Sequence, residues 1–153
     1  MSYAAPLELI TDAAGSVTFG WVDDGVFYAR FSRCLSAKLG EVFASRLREA
    51  ALQSRGLKYF GDGRALESYD LLARSAFVRV VTEHRRKFDS FTLLKWSGAE
   101  LSPAFLSTLG DNVTVVPSSI DFEARLLAIA PRARSKLGAK QDPPQRSRWP
   151  LRR

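Results

Sequence analysis

Apolar positions alternate through the first part of this chain and recur at helical spacing later, and that change of period divides it into elements. Residues 7–11 and 16–22 read as two short extended segments parted by Ala13, Ala14 and Gly15. Asp24-Gly25 lies between the runs VTFGWV (17–22) and VFYARF (26–31). Asp-Gly supplies the positive φ that a tight antiparallel turn requires, so the two runs are expected to form a hairpin. The period then becomes helical. Leu39, Val42, Phe43, Leu47 and Ala50 share one face, with Ser36 placed to cap that helix and Gly56 to end it.

A short strand is expected at 57–60, then a second helix over about 68–87 with Leu72, Ala76, Phe77, Val80 and His84 along one face. The run FTLLKW (91–96) is the next strand. Ser102-Pro103 opens a short helix that stops at Gly110, because Ser caps and Pro suits the first helical position. Residues 113–116 form a last strand closed by Pro117. Ser118 and Asp121 stand at capping-box spacing before a final helix through Ile129, which Pro131 ends. Strands first, then helix and strand in alternation, predict an α/β domain over residues 1–131. It should be a mixed β-sheet of about four to six strands packed with about four helices.

The 153 residues are 46% apolar, enough for a real core. No apolar run approaches the ~20 residues needed to cross a bilayer, and no export segment is visible at the start. Cys34 is the only cysteine, so no intrachain disulfide can form. These features point to the cytoplasm.

Charge changes the picture at residue 132. The formal net charge is +7, and all of it lies from Arg132 onward, where eight basic residues face Asp142 alone. The preceding 131 residues balance. With Pro143, Pro144 and Pro150, residues 132–153 read as a flexible, disordered basic tail. Such a tail either keeps the protein in solution or attaches it to an acidic partner, nucleic acid or an anionic surface. Arg146, Arg148, Trp149, Arg152 and Arg153 are its candidate contact residues, Trp149 because a lone large aromatic can anchor a partner.

Catalysis finds little footing, and no catalytic residue, metal ligand or cofactor is assigned. Gly61-Asp62-Gly63 follows a strand but lacks the Lys-Ser/Thr tail of a phosphate loop. His84 is the sole histidine and falls on an apolar helix face, where a half-buried core role is expected. With Cys34 as the only thiol, a Cys/His zinc site within one chain is excluded by ligand count. Cys34 itself stands at a strand end, where a cysteine is usually packed. The run Arg85-Arg86-Lys87 complements the negative end of the second helix.

Three segments carry a resemblance: the hairpin at Asp24-Gly25, the run FSRCLS (31–36) leading into the first helix, and the run YFGDGRAL (59–66) leading into Glu67, Ser68, Tyr69 and Asp70. In order and placement they resemble the STAS domain, the sulfate-transporter and anti-sigma-factor-antagonist fold, over about 15–130. The resemblance implies a non-enzymatic, bacterial-type regulatory or scaffolding module. It also implies a protein partner docking near the start of the second helix, at Ser68, Tyr69, Asp70 and Arg74. In the antagonists a Ser at that helix start is phosphorylated within an Asp-Ser-Ser-Gly or Asp-Ser-Thr-Gly run. Here the acidic-Ser start is kept, but the second hydroxyl and the Gly are not.

The residues themselves allow plainer roles. Ser68 would cap the second helix with Asp70 complementing its positive end, and Asp70 and Arg74 are spaced as an i,i+4 ion pair. Two other functions stay open: a nucleic-acid-associated protein that binds DNA or RNA through the tail, and a small-ligand carrier with a pocket in the sheet.

Overall fold

In the computed structural model, which describes residues 5–95 and 101–141, the chain turns back on itself at Asp24-Gly25, where Gly25 has φ 74°. The strands it joins are β2 (Gly15–Asp23) and β3 (Val26–Leu35), and they pair antiparallel. Glycine takes that left-handed conformation without steric penalty, which is what a two-residue turn demands. β1 (Glu8–Thr11) adds antiparallel to the outer side of β2.

From β3 onward every pairing is parallel. β4 (Leu57–Tyr69), β5 (Phe88–Leu94) and β6 (Val113–Val116) complete a six-stranded mixed sheet whose spatial order follows the chain. Parallel neighbours need a crossover, and helices supply it. α1 (Ala37–Gln53) links β3 to β4, α2 (Leu71–Glu83) with a 3-10 turn at Arg85–Lys87 links β4 to β5, and α3 (Pro103–Thr108) precedes β6. α4 (Ser119–Ile129) and α5 (Ala133–Gln141) follow. Three helices start where the sequence places a cap: Ser36, Ser102 and Ser118 each accept a hydrogen bond from the amide three residues on.

Helices cover both faces of the sheet, and strand alternation sorts the side chains between them. Phe27, Ala29, Tyr59 and Leu93 face α1, α2 and α3, while Val26, Tyr28, Phe60 and Leu94 face α4 and α5. α1 and α2 pack unusually close. A Cβ built on Gly40 would lie 2.3 Å from the Ala73 Cβ, so only glycine permits this approach. No helix among the described residues is long and apolar enough to cross a membrane.

Three expectations need correction. β4 does not stop at residue 60. Its ladder with β3 continues to Leu35↔Tyr69, absorbing one extra β4 residue between Arg30 and Ser32 and another between Arg33 and Cys34. These bulges let a polar, glycine-containing stretch stay paired where its composition suggests a loop. α2 consequently starts at Leu71.

The boundary expected at Pro131 also fails to mark the end of packed structure. α5 lies beyond it, with Ala133 fully buried against Phe122 and Leu126 and with Leu137 packed on the same cluster. Arg132 donates from its backbone N–H and its guanidinium to the Asp23 carboxylate, at 3.1 and 3.2 Å. Lys136 Nζ donates to the carbonyls of Trp21 and Ala5. Part of the basic segment is thus spent on holding α5 to the body.

Candidate functional site

The junction of β4 and α2 is where the resemblance places docking. The Asp70 N–H donates to the Leu35 carbonyl at 2.9 Å, so the chain leaves the sheet only after Tyr69. Ser68 is therefore a strand residue opposite Cys34, with an exposed side chain, and it does not cap the helix. The cap is Asp70, whose Oδ1 accepts from the Leu72 N–H at 2.8 Å. A cap must be the first residue released from other backbone pairing, and the β3–β4 ladder decides which residue that is.

With its carboxylate at the cap, Asp70 forms no ion pair with Arg74 among the described residues. Arg74 instead lies over Phe105, its guanidinium carbon 5.0 Å from the ring centroid, a cation–π contact. The next two residues depart from expectation as well. Leu72, which its spacing puts on the apolar stripe with Ala76 and Val80, is 66% exposed, and Leu71 beside it is 70% exposed. Ala73, Val80 and Val81 are the buried residues of α2. The first turn of α2 thus presents two adjacent leucines to solvent, flanked by Tyr69, Asp70 and Arg74.

Beneath this turn lies a cavity of about 90 Å³ between α2, α3 and the sheet, open on one side. Phe43, Phe77, Leu93 and Phe105 wall it, Ala73 and Arg74 roof it, and its lining is almost wholly apolar. Its floor is the α2-facing side of β4, where Tyr59 is followed at same-face positions by Gly61 and Gly63. A side chain on Gly61 would collide with the Tyr59 ring, which lies 2.8 Å from where its Cβ would stand. Burial alone pushes the Tyr59 phenol far above its ordinary pKa.

The opposite face of β4 carries Asp62, 3% exposed. Its carboxylate accepts from the Arg64 backbone and guanidinium at 3.0 and 3.3 Å and from the Tyr28 hydroxyl at 3.4 Å. Burial first and the Asp62 charge second push the Tyr28 pKa upward. The Gly61-Asp62-Gly63 motif is therefore split by the sheet, with its glycines on one side and its carboxylate on the other.

His84 is half-buried at the C-terminal end of α2, and Cys34 is half-buried near the end of β3. No cluster of three or more metal-ligating side chains occurs among the described residues. Arg146, Arg148, Trp149, Arg152 and Arg153 lie outside them. The leucine pair and the cavity escape sequence reading: Leu72 sits at helix-core spacing, and a glycine pair inside a strand suggests a loop. The usable signal is that a glycine in an extended run lets a neighbouring ring lie close against the sheet, as Tyr59 does over Gly61.

No protein-family model matches the chain, and no curated protein matches it. Among solved structures, the chain is similar to an uncharacterized protein of the DUF3478 family with a SpoIIAA-like fold from Shewanella loihica. The TM-score is 0.58 at 13% identity, covering 76% of this chain and 98% of that one. It is also similar to the anti-sigma factor antagonist SpoIIAA in its unphosphorylated form, with a TM-score of 0.46 at 12% identity, over 80% and 97% of the two chains. The fold of this chain is SpoIIAA-like, a STAS-like α/β domain.

Proposed function

We propose that the protein is a non-enzymatic interaction module that docks a protein partner on the first turn of α2. The observation that carries this reading is the exposed pair Leu71 and Leu72, at 70% and 66%. Two large apolar side chains held side by side on a capped, well-packed turn bear the desolvation penalty continuously and contribute nothing to the core. Covered by a partner, they become the apolar centre of an interface, with Tyr69, Asp70 and Arg74 as the polar and aromatic surround typical of such sites. Ser68 stands at the edge of this patch. The basic residues beyond Gln141 are the second contact in this reading, acting on an acidic partner through charge.

The test is affinity capture from native lysate treated with nuclease, comparing the wild-type chain with Leu71→Asp, Leu72→Asp and the control Leu52→Asp. Leu52 is 56% exposed on α1, away from the patch. Truncating a central apolar contact typically weakens binding by about 30-fold. A protein retained by the wild type and by the Leu52 variant, and lost with either α2 variant, supports the reading. Equal retention by all four chains, or loss of the partner on nuclease treatment, refutes it.

A further inference from the structure

The cavity under α2 is independent of the docking reading, and three features distinguish it from a packing fault. First, its floor is set by sequence: a Cβ on Gly61 would lie 2.8 Å from Tyr59 Cε1, so glycine is what lets the phenol ring lie across the strand. Glycine inside a strand weakens that strand and marks close approach of something else to the backbone. Second, Tyr59 is 2% exposed, yet its hydroxyl has no hydrogen-bond partner among the described residues. Buried hydroxyls are nearly always paired. Third, that hydroxyl faces the cavity. A Cβ at Gly61 would lie 2.8 Å from Tyr59 Cε1 and 3.4 Å from Oη, so the phenol ring lies along the floor with its polar tip over the bare glycine.

We propose that this cavity is a binding site for a small, largely apolar molecule of ring size that carries one oxygen and exchanges a hydrogen bond with Tyr59 Oη. Size sets the class. An engineered apolar cavity of roughly 150 Å³ accepts benzene, so a space of about 90 Å³ with an open mouth suits a body of about five to seven heavy atoms, part of it at the opening. The lining is almost wholly apolar, with Tyr69, Arg74 and Ser102 as its only polar side chains besides Tyr59, and such a surface holds water poorly. A single hydroxyl or carbonyl on the guest satisfies the orphan and leaves the aromatic walls to the ring.

Phenol and toluene are the probes, differing in the one oxygen at issue. Each is titrated into ¹⁵N-labelled full-length protein while the amide signals of Gly61, Gly63 and Ala73 are followed. Both should give saturable shifts confined to the cavity lining. Tyr59→Phe, which keeps the ring, should weaken phenol by about tenfold and leave toluene unchanged. Leu93→Phe, which adds volume beside Gly61, should abolish both while the remaining spectrum stays folded. The proposal is overturned if neither probe saturates, if Tyr59→Phe binds phenol as well as the wild type does, or if Leu93→Phe still binds both.

Discussion

Replacing Tyr59 with Phe removes one oxygen from the most buried part of the protein and disturbs nothing else. The ring keeps its neighbours, with Phe77 and Phe91 at centroid distances of 5.6 and 5.7 Å. In an ordinary core this change costs stability, because the lost hydroxyl leaves a former partner unpaired. Here the hydroxyl has no partner among the described residues to strand. An unsatisfied buried hydroxyl carries a desolvation penalty of about 1–3 kcal/mol, and deleting it returns part of that. Tyr59→Phe should therefore stabilise the empty protein by about 1 kcal/mol. For a chain of this size that raises Tm by about 3 °C and moves the urea midpoint up by roughly 0.5 M. The assay is urea unfolding of protein refolded from denaturant, so that no carried-over guest occupies the cavity. A loss of 1 kcal/mol or more would show that the hydroxyl is already bonded and that Tyr59 is no vacant polar anchor.

Four further outcomes follow from the packing and the charges. Asp70→Ala should cost about 1 kcal/mol as the lost cap, whereas Ser68→Ala should be near neutral, both read by urea unfolding. Gly40→Ala should destabilise by about 1–3 kcal/mol in the same assay despite the better helix propensity of alanine, because the new methyl has no room against Ala73. Burial raises the Asp23 pKa, but the amides of Asp24 and Arg132 and the Arg132 charge outweigh it and hold the group below its ordinary value. A carboxylate depressed in the folded state stabilises above its unfolded pKa of about 3.9 and loses that contribution as pH falls through the folded value. Melting curves from pH 7 to pH 2 should thus fall more steeply for the wild type than for Asp23→Asn. Truncation after Gln141 should leave Tm unchanged, while truncation after Pro131 should cost about 3 kcal/mol or more by removing Ala133, Leu137 and the partner of Asp23.

Local chemistry made much of this fold legible. The Asp24-Gly25 turn and the caps at Ser36, Ser102 and Ser118 are decided within three or four residues, and each stands where the sequence puts it. What could not be read depends on partners distant in sequence. The stretch from Gly61 to Tyr69 is too polar and too rich in glycine to look like a strand, and it is one because β3 offers a ladder as far as Leu35. That same ladder, by claiming Ser68 and Tyr69, moves the helix cap to Asp70. α5 is hidden for another reason. Its described apolar contacts reduce to Ala133 and Leu137, one helical turn apart, amid basic residues that dominate any compositional reading. Of the residues expected to meet a partner, Tyr69, Asp70 and Arg74 stand at one helix start, but of the two leucines exposed there Leu72 carries the spacing of a core position.

One turn of α2 serves both proposed sites, and that has a thermodynamic consequence. Leu71 and Leu72 face solvent while Ala73 and Arg74, the next two residues, roof the cavity. The position of the turn is fixed from below by the contact between Ala73 and Gly40 and from the side by Arg74 over Phe105. A guest that lifts or tightens the roof therefore changes the presentation of the leucines, and a partner that clamps the leucines changes the mouth of the cavity. Linkage makes these effects equal: whatever factor the guest applies to partner affinity, the partner applies to guest affinity. The sign depends on which occupant favours the turn as it stands. Gly40→Ala supplies the lever for reading that sign, because its methyl presses on Ala73 and moves α2; Gly40 also lines the cavity, so partner affinity is the readout that the methyl cannot change by direct contact. If that variant changes partner and phenol affinity together, the turn is the coupling element. If it changes one alone, the two sites share residues without sharing energy.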